Sequence, residues 1–361
     1  TMNVAILADD LPGFIRPMAD GLKRMLGHLG VSSEIFPNGL AILDYGAVRT
    51  VQTGFRNLLI SGFNSFVPQH YRYRQLASWQ DVQEFEVQLG RFDLIVVVCN
   101  IPDAFVATRL NRIEKLRLKT NKPIVLYQNY YLGTRGQWSH QIKDPEIYGG
   151  GFGLERYDWY LSASVVSEFP LSNEPHPCSL IGHDLNDGSL AAESDKPFKV
   201  LLDFERKGFE DFRELQIQAL QEMNIEYKQL SGRYSQQRIR WLYRHHSAIF
   251  LSFRESFGLP VVENQLCGNF IFTPYKKWVP SHYINKSVHE SGEGDLGGNF
   301  IIYNNELTRL KTLLRDCRDS YCAEKNLAEF QSAYPALYQG DLSELKLFID
   351  KVSGGEITGL S

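Results

Sequence analysis

The sequence has no apolar run long enough to cross a membrane. Its longest notable apolar stretch, FDLIVVVC, covers residues 92–99, whereas a membrane-spanning helix needs about 20 residues. No charged-then-apolar leader opens the chain, because a strand-like run begins at Met2. These two absences predict a cytoplasmic protein, and they leave open a peripheral association with the inner face of the membrane.

The sequence also lacks paired cysteines and an excess of basic residues. Its five cysteines are scattered and form no CxxC pair, which argues against a disulfide framework and a zinc site. The formal net charge of -4 gives no broad positive field, so nucleic acid is not a predicted partner. We therefore expect a reduced intracellular protein without a metal or another cofactor.

The part of the chain before residue 187 alternates apolar strands with amphipathic helices. The first strand, MNVAILA, precedes a stretch with apolar residues at helical spacing. The runs FDLIVVVC and NKPIVLYQ repeat the strand pattern further along. Strands that are apolar on both faces and alternate with helices are typical of a parallel sheet covered on both sides.

A second alternating run follows a small polar stretch. The sequence NDGSLAAESDKP ends in proline and suits an interdomain linker. We predict an N-terminal domain over residues 1–187, a linker over 188–197 and a second domain over 198–340. The tail over 341–361 is predicted to be helical and to pack back on the first domain. In two successive α/β domains, a ligand is expected at the carboxyl ends of the strands.

One segment of the first domain fits this alternation poorly. FRNLLISGFNSFVPQHYRYRQ mixes aromatic residues with arginines. A packed loop and helix is the favoured interpretation, and an acceptor-facing insert or an interfacial patch stays open.

The segment with the strongest chemical signal is SAIFLSFRESFGLPVVENQLCGNFIFTP, over residues 247–274. It predicts two buried strands joined by a loop and a helix that begins at Gly258-Leu259-Pro260. Proline is favoured in the first turn because its missing N–H would have no helical partner there. The free N–H groups and the positive dipole end of such a helix form a ready phosphate site.

Two glutamates flank this expected phosphate site. Glu255 precedes the helix and Glu263 lies about one turn inside it, with seven residues between them. A carboxylate before the turn can reach the hydroxyls of a sugar attached to the phosphate, and one inside the helix can accept from a ribose diol. A single acidic residue in the first turn would not by itself indicate a ligand, since its charge stabilises the helix through the helix dipole. The ordered block of strand, loop and helix favours the binding role.

The stretch ESFGLPVVENQLCG resembles the signature of glycosyltransferase family 4, the retaining GT-B enzymes that have two glutamates with seven residues between them. Its visible departure is Asn264, where a small residue is usual, and this difference is expected to affect packing more than chemistry. The resemblance is specific over residues 228–275 and architectural elsewhere. It implies a GT-B architecture, in which two Rossmann-like domains with parallel sheets face each other across a cleft.

By this resemblance, Glu255 contacts the donor sugar and Glu263 the ribose. The backbone of Phe257, Gly258 and Leu259 meets the distal phosphate. Arg254 and Ser256 lie in the same donor-binding loop.

The family also places an arginine five residues before a lysine and glycine, after the first strand of the second domain. Lys207-Gly208 matches the lysine and glycine, whereas Leu202 stands where the arginine is usual. Arg206 or Arg254 is expected to supply that charge. We therefore assign catalytic roles to Glu255, Lys207 and Arg206, although Arg206 and Lys207 also fit a solvated turn.

For the acceptor side, the resemblance points to two loops of the first domain. The loop DDLPGFIR contains Gly13 and Arg16, and the loop after NKPIVLY contains Asn129 where relatives often have histidine. Tyr130 and His140 follow in a polar and aromatic stretch that suits a sugar, with plain surface packing as the alternative.

The predicted function is transfer of a hexose-type sugar from a nucleotide-diphosphate sugar to a saccharide or lipid-linked saccharide. The resemblance implies retention of anomeric configuration without a metal, and the number of such enzymes favours bacterial surface-polysaccharide synthesis. Two alternatives remain open. One is a GT-B-fold sugar-nucleotide epimerase or hydrolase, and the other is a non-catalytic partner subunit.

Overall fold

The structure is a computed structural model. It describes residues 2–8, 15–37, 58–63, 65–66, 79–99, 113–129, 157–163, 178–251, 258–274, 282, 284 and 295–359.

The described residues form strands and helices in the alternating order that the sequence predicts. The strands are β1 (Asn3–Ala8), β2 (Ser32–Pro37), β3 (Leu94–Val98), β4 (Ile124–Gln128), β5 (Trp159–Ser162), β6 (Cys178–Leu180), β7 (Val200–Leu202), β8 (Tyr227–Gln229), β9 (Ala248–Phe250), β10 (Phe270–Thr273) and β11 (Phe300–Ile302). The helices are α1 (Ile15–His28), α2 (Trp79–Gln88), α3 (Glu210–Glu222), α4 (Gln236–Arg244), α5 (Leu259–Leu266), α6 (Leu307–Ser320), α7 (Ala323–Ala333), α8 (Pro335–Gln339) and α9 (Leu342–Ser353). Short helical segments also occur at residues 58–63 and 113–117. None of the helices in these ranges combines the length and apolar character that a bilayer crossing requires.

The strands form two parallel sheets. One has six strands in the order β2-β1-β3-β4-β5-β6, and the other has five in the order β11-β10-β9-β7-β8. All described strand pairs are parallel. Every residue of β3, β4, β7 and β9 is buried, which is why these strands read as continuous apolar runs. The predicted α/β class with two parallel sheets is confirmed.

The described residues divide into two compact units. One comprises the residues up to Asp184 and those from Gly340 onward, and the other comprises Leu185–Gln339. Residues 188–197, predicted as a linker, belong to the second unit.

The final helix, α9, packs against α1 and β6 of the first unit. The chain enters this helix through Gly340, which has a φ of +79°. A Cβ there would meet Cε of Met25, on α1, so both the backbone conformation and the close approach favour glycine.

The five-stranded sheet changes winding direction between β7 and β9. From β7 the chain continues to β8 on one side, whereas β9, β10 and β11 follow on the other. Such a switch point leaves a crevice at the carboxyl ends of the two central strands, where open α/β sheets bind ligands. Asp203 directly follows β7, and Leu251 directly follows β9.

Candidate functional site

The helix α5 begins as predicted, directly after Gly258. This glycine is the N-cap in a left-handed conformation, with φ 73° and ψ 54°, and Pro260 lies in the first turn. The N–H of Val262 makes the first helical bond, 2.9 Å to the carbonyl of Gly258. Because Pro260 has no N–H, Leu259 and Val261 supply the first-turn N–H groups without a carbonyl inside the helix. These groups and the dipole suit an anion.

Glu263 lies one turn inside α5 and is held by an arginine of α4. Arg240 donates from Nε to Oε1 of Glu263 at 3.0 Å, and its second contact with the same oxygen is 2.9 Å long. Within the described residues, Oε2 of Glu263 accepts no hydrogen bond. The Glu263 side chain is 13% exposed. One carboxylate oxygen is therefore fixed by Arg240, and the other accepts no hydrogen bond from the described part of the chain.

Arg240 also joins Glu263 to a second carboxylate. Its NH1 group donates to Oδ2 of Asp187 and, at 2.7 Å, to Oγ of Ser189. Asp187 in turn accepts from the backbone N–H of Ser189 at 2.9 Å and from its hydroxyl at 2.6 Å. The arginine side chain is only 6% exposed, whereas that of Asp187 is 36% exposed. A buried guanidinium thus donates hydrogen bonds to two carboxylates, one nearly buried and one half-buried.

Burial and charge act in opposite directions on Glu263. Removal from water raises the pKa of its carboxyl, and the Arg240 guanidinium works against that rise. The net pKa of Glu263 is raised. The pKa of Asp187 is lowered: burial opposes this, and hydrogen bonds from Ser189 together with the charge of Arg240 outweigh it. Of the two acids, Glu263 is the one whose charge is more easily lost in acid.

The predicted cations Arg206 and Lys207 lie in the exposed turn between β7 and α3. This turn follows β7, so both residues lie at the edge of the sheet where open α/β sheets generally bind ligands. Gly208 has a φ of +91°, and its N–H donates to the carboxylate of Glu210 at 2.8 Å. Leu202, where the usual arginine would stand, is fully buried in β7.

A second buried arginine fixes the strand ends at the switch point. Arg213 of α3 makes two hydrogen bonds to Asp203. It donates to Oδ1 of the side chain and, at 2.9 Å, to the backbone carbonyl. It also donates to Gln216 at 2.8 Å. The amide of Gln216 then bonds the carbonyl of Leu251 at 2.9 Å and the hydroxyl of Tyr303 at 2.8 Å. These bonds tie the ends of β7 and β9 to one helix.

Asn264, the departure from the family pattern, anchors the buried side of α5. Its amide donates to the carbonyl of Pro260 at 2.8 Å, and its oxygen accepts from Asn269 at 2.8 Å. The second amide hydrogen of Asn269 goes to the carbonyl of Tyr243 at 2.9 Å. The oxygen of Asn269 accepts from Lys196 at 2.9 Å. Asn264 thus takes part in a buried polar network where a small apolar residue would only fill space.

The acceptor-side predictions fall in the first unit, and two of those residues are described. Arg16 lies on α1 and makes an ion pair with Asp20, with Nε 3.1 Å from Oδ1. Asn129 directly follows β4, and its Oδ1 is buried and accepts no hydrogen bond from the residues that the structure describes. Its place at the carboxyl end of a parallel strand is where a ligand of this unit would lie.

Several predicted site residues lie outside the described residues. They are Arg254, Glu255, Ser256 and Phe257 in the donor loop, and Gly13, Tyr130 and His140 on the acceptor side. The described residues bring Gly258, Leu259 and Glu263 together on α5.

The structure adds Arg240 and Asp187, which sequence reasoning missed. Asp187 lies in the polar stretch next to the predicted linker, and Arg240 lies on α4, which precedes β9 and the predicted donor loop. The sequence gives little indication of this contact, because Arg240 and Asp187 are 53 positions apart. Within the described ranges, no group of three or more potential metal ligands is found.

Comparisons with known proteins give a fold but no family. No protein-family model matches the chain, and no curated protein matches it either. Among solved structures, the chain resembles the UDP-GlcNAc 2-epimerase from Neisseria meningitidis bound to UDP-GlcNAc, with a TM-score of 0.50 and 10% identity over 98% of this chain and 100% of that one. At this identity, the likeness shows a shared fold alone.

A periplasmic sugar-binding protein from Legionella pneumophila reaches a TM-score of only 0.24, at 13% identity over 76% of this chain and 81% of that one. That score is too low to indicate a common fold.

Proposed function

We propose that this chain is a retaining glycosyltransferase of GT-B architecture, which transfers a hexose-type sugar from a nucleotide-diphosphate sugar to a saccharide or lipid-linked saccharide. The donor would bind the five-stranded unit at the switch point between β7 and β9. Bacterial surface-polysaccharide synthesis is the expected setting.

The observation that carries this proposal is the hydrogen bonding of the Glu263 carboxylate. Arg240 fixes Oε1 and leaves Oε2 open on a side chain that is only 13% exposed. An acceptor oxygen on a carboxylate that is already held in place, and that accepts nothing from the described residues, suits the hydroxyl of a ribose. Arg240 orients the carboxylate before the ligand arrives, so binding would cost little side-chain ordering.

The start of α5 supports a diphosphate next to that ribose. Gly258 turns the chain so that the N–H groups of Leu259 and Val261 begin the helix. Lys207 and Arg206, at the same edge of the sheet, add positive charge for the leaving diphosphate, which gains negative charge as the sugar bond breaks. Glu255 would contact the donor sugar. With these groups the reaction is proposed to need no metal.

A sugar-nucleotide epimerase or hydrolase is the second candidate. The observation that favours it is the fold likeness over nearly the whole chain to an epimerase bound to UDP-GlcNAc. Such an enzyme would use the same donor site and no separate acceptor. A partner subunit without catalysis would bind no donor productively.

The experiment that separates these candidates follows the fate of the donor. The purified chain is incubated with UDP-, GDP- and ADP-hexoses, with and without oligosaccharide acceptors, each in the presence and absence of chelator. Mass spectrometry and NMR identify the products. Glu263→Gln is run in parallel with Glu214→Gln, a substitution of an exposed glutamate on α3.

A new glycosidic bond with the donor's anomeric configuration, insensitive to chelator and lost in Glu263→Gln, is the expected result. An isomerised or hydrolysed donor without acceptor dependence would assign the second candidate. If no nucleotide sugar is consumed in any mixture, both enzyme assignments fail.

A further inference from the structure

One connection between the two units is a short segment that is anchored on both sides. The chain passes from the first unit to the second between Asp184 and Leu185. Arg24 of α1 holds the first side: its Nε lies 3.0 Å from Oδ2 of Asp184, and its NH2 group donates to the carbonyl of Asp184 at 2.7 Å. A Cβ at Gly21 of α1 would lie 2.1 Å from the same carbonyl oxygen, so glycine permits this close approach. The chain up to Asp184 is therefore fixed to α1.

The chain is fixed again three residues further on, in the second unit. Oδ2 of Asp187 accepts from NH1 of Arg240, on α4, and the N–H of Asp187 bonds the carbonyl of Leu185 at 3.0 Å. Leu185 is itself buried. We name residues 184–187 the crossing segment. Because only two residues lie between its anchored aspartates, a movement of one is transmitted to the other with little slack.

Two acids on the second-unit side of the crossing segment pair with arginines of α4, and they form a natural comparison. Asp187 pairs with Arg240, and Glu193 accepts from Nε of Arg244 at 3.0 Å. The two acid side chains are equally exposed, at 36%. Arg240 continues to Glu263, whereas Arg244 hydrogen-bonds no acid other than Glu193 in the described part of the chain. Only the first pair therefore reaches the candidate site.

The geometry of Arg240 shows how Asp187 acts on Glu263. A guanidinium is planar and donates in fixed directions. Nε and NH2 of Arg240 face Oε1 of Glu263, at 3.0 Å and 2.9 Å, whereas NH1 faces Asp187. Because the three groups belong to one rigid plane, the contact with Asp187 fixes the rotation of that plane. The same contact thereby fixes the two donors that hold Glu263.

We propose that Asp187 is a positioning residue for nucleotide binding, which acts on Glu263 through Arg240 and couples the crossing segment to the occupancy of the nucleotide site. The inference rests on the proposed function, in which Glu263 meets the ribose. Coupling between two sites is reciprocal. Release of Asp187 from Arg240 would weaken the nucleotide, and a bound nucleotide would stabilise the contact between Asp187 and Arg240.

The first test is calorimetric titration of UDP, GDP and ADP into the wild type, Asp187→Ala and the matched control Glu193→Ala. We expect Asp187→Ala to weaken the diphosphate that the wild type binds by about fivefold or more, and Glu193→Ala to change its affinity less than about twofold. Both variants lose one negative charge, which by itself would favour an anionic ligand. Weaker binding in Asp187→Ala alone is therefore a result that loss of charge does not produce.

A double variant separates positioning from a general structural effect. In the Glu263→Gln background, Asp187→Ala should weaken the diphosphate by less than about twofold more, because the carboxylate that Asp187 positions is already gone.

The second test needs no nucleotide. Urea denaturation gives the unfolding equilibrium constants of Asp187→Ala, Glu263→Gln and the double variant. Since both acids share Arg240, the combined change should differ from the product of the single changes by a factor of about three or more. The corresponding cycle with Glu193→Ala should be multiplicative within about twofold.

The outcomes distinguish this inference from the proposed function. If the wild type binds no diphosphate, the proposed function fails, and the unfolding cycle alone decides whether Arg240 couples the two acids. If the wild type binds a diphosphate and Asp187→Ala binds it as tightly, the positioning role is wrong and the nucleotide site stands. An equal loss in Glu193→Ala, or a multiplicative cycle for Asp187 and Glu263, would also overturn the positioning role.

Discussion

Two buried arginines of the five-stranded unit hold carboxylates in different ways. Arg213 bonds Asp203, and through Gln216 its network reaches Leu251 and Tyr303. Both side chains of the Arg213–Asp203 pair are about equally buried, with exposures of 6% and 7%. Arg240 is as buried, but its partners Glu263 and Asp187 are 13% and 36% exposed.

This difference separates a structural pair from a candidate binding pair. The described bonds of Arg213 lead to strand ends, so the network fixes the switch point itself. Those of Arg240 lead to two acids that reach the surface, and one oxygen of Glu263 accepts nothing from the described residues. The same chemistry therefore stabilises the fold at one place and orients an open carboxylate at the other.

The largest expected effect comes from breaking the structural pair. Arg213→Met should lower the free energy of unfolding by about 3–5 kcal/mol, because it leaves the Asp203 charge buried without its partner. Urea denaturation measures the change. The double variant Arg213→Met/Asp203→Asn should recover part of the loss. A loss below about 1 kcal/mol would show that the network does not hold the strand ends.

A smaller loss of stability is expected from Arg240→Met. We expect about 2–3 kcal/mol at neutral pH, because Asp187 keeps contact with solvent while Glu263 loses its main counter-charge. The control is Arg244→Met on the same helix, whose partner Glu193 is 36% exposed. It should cost less than about 1 kcal/mol. Equal losses in the two variants would contradict the distinction between the buried and the surface pair.

The pH dependence of the free energy of unfolding of Arg240→Met tests the role of the guanidinium charge more directly than its value at neutral pH. Burial already raises the pKa of Glu263, and without the guanidinium the pKa should rise further. A carboxyl whose pKa is raised by folding destabilises the folded state as pH rises through that pKa, because it must ionise in a buried site. The stability deficit of the variant should therefore shrink on acidification. A deficit that does not change with pH would argue against loss of the charge partner.

The smallest effect on stability is expected from Asn264→Ala, which introduces the small residue that is usual in the signature of glycosyltransferase family 4. We expect a loss of about 1–2 kcal/mol, because one amide hydrogen of Asn269 is left buried without an acceptor. Asn264→Asp is the variant for comparison, because it keeps an oxygen that can accept the hydrogen bond from Asn269. A stabilised Asn264→Ala would contradict the described network.

Much of the fold could be predicted from the sequence because its signals are local. The runs LIVVV and IVLY are apolar at successive positions, and β3 and β4, which contain them, bury every residue. The start of α5 was also predictable, since glycine and proline restrict the backbone directly. The strand β6, with a single buried residue, was not predicted, because its sequence lacks the apolar run that indicates a buried strand.

The contacts that shape the candidate site were harder to predict because they join distant residues. Asn264 was expected to affect packing more than chemistry, and its hydrogen bonds could not be foreseen: its amide donates to the carbonyl of Pro260, and its oxygen accepts from Asn269. Arg240 reaches Glu263 across 23 residues and Asp187 across 53. No pattern of spacing within α4 indicates those partners. The roles of Glu255 and of the loop around it stay predictions.

The central claim is that Glu263 binds the nucleotide of a donor. Its most direct test is calorimetric titration of UDP, GDP and ADP, with chelator present and absent, into the wild type, Glu263→Gln and the exposed-site control Glu214→Gln. We expect that one diphosphate binds without metal, that Glu263→Gln weakens its binding about tenfold or more, and that the control binds like the wild type. If no diphosphate binds, or if a folded Glu263→Gln binds as tightly as the wild type, the donor site is not at Glu263.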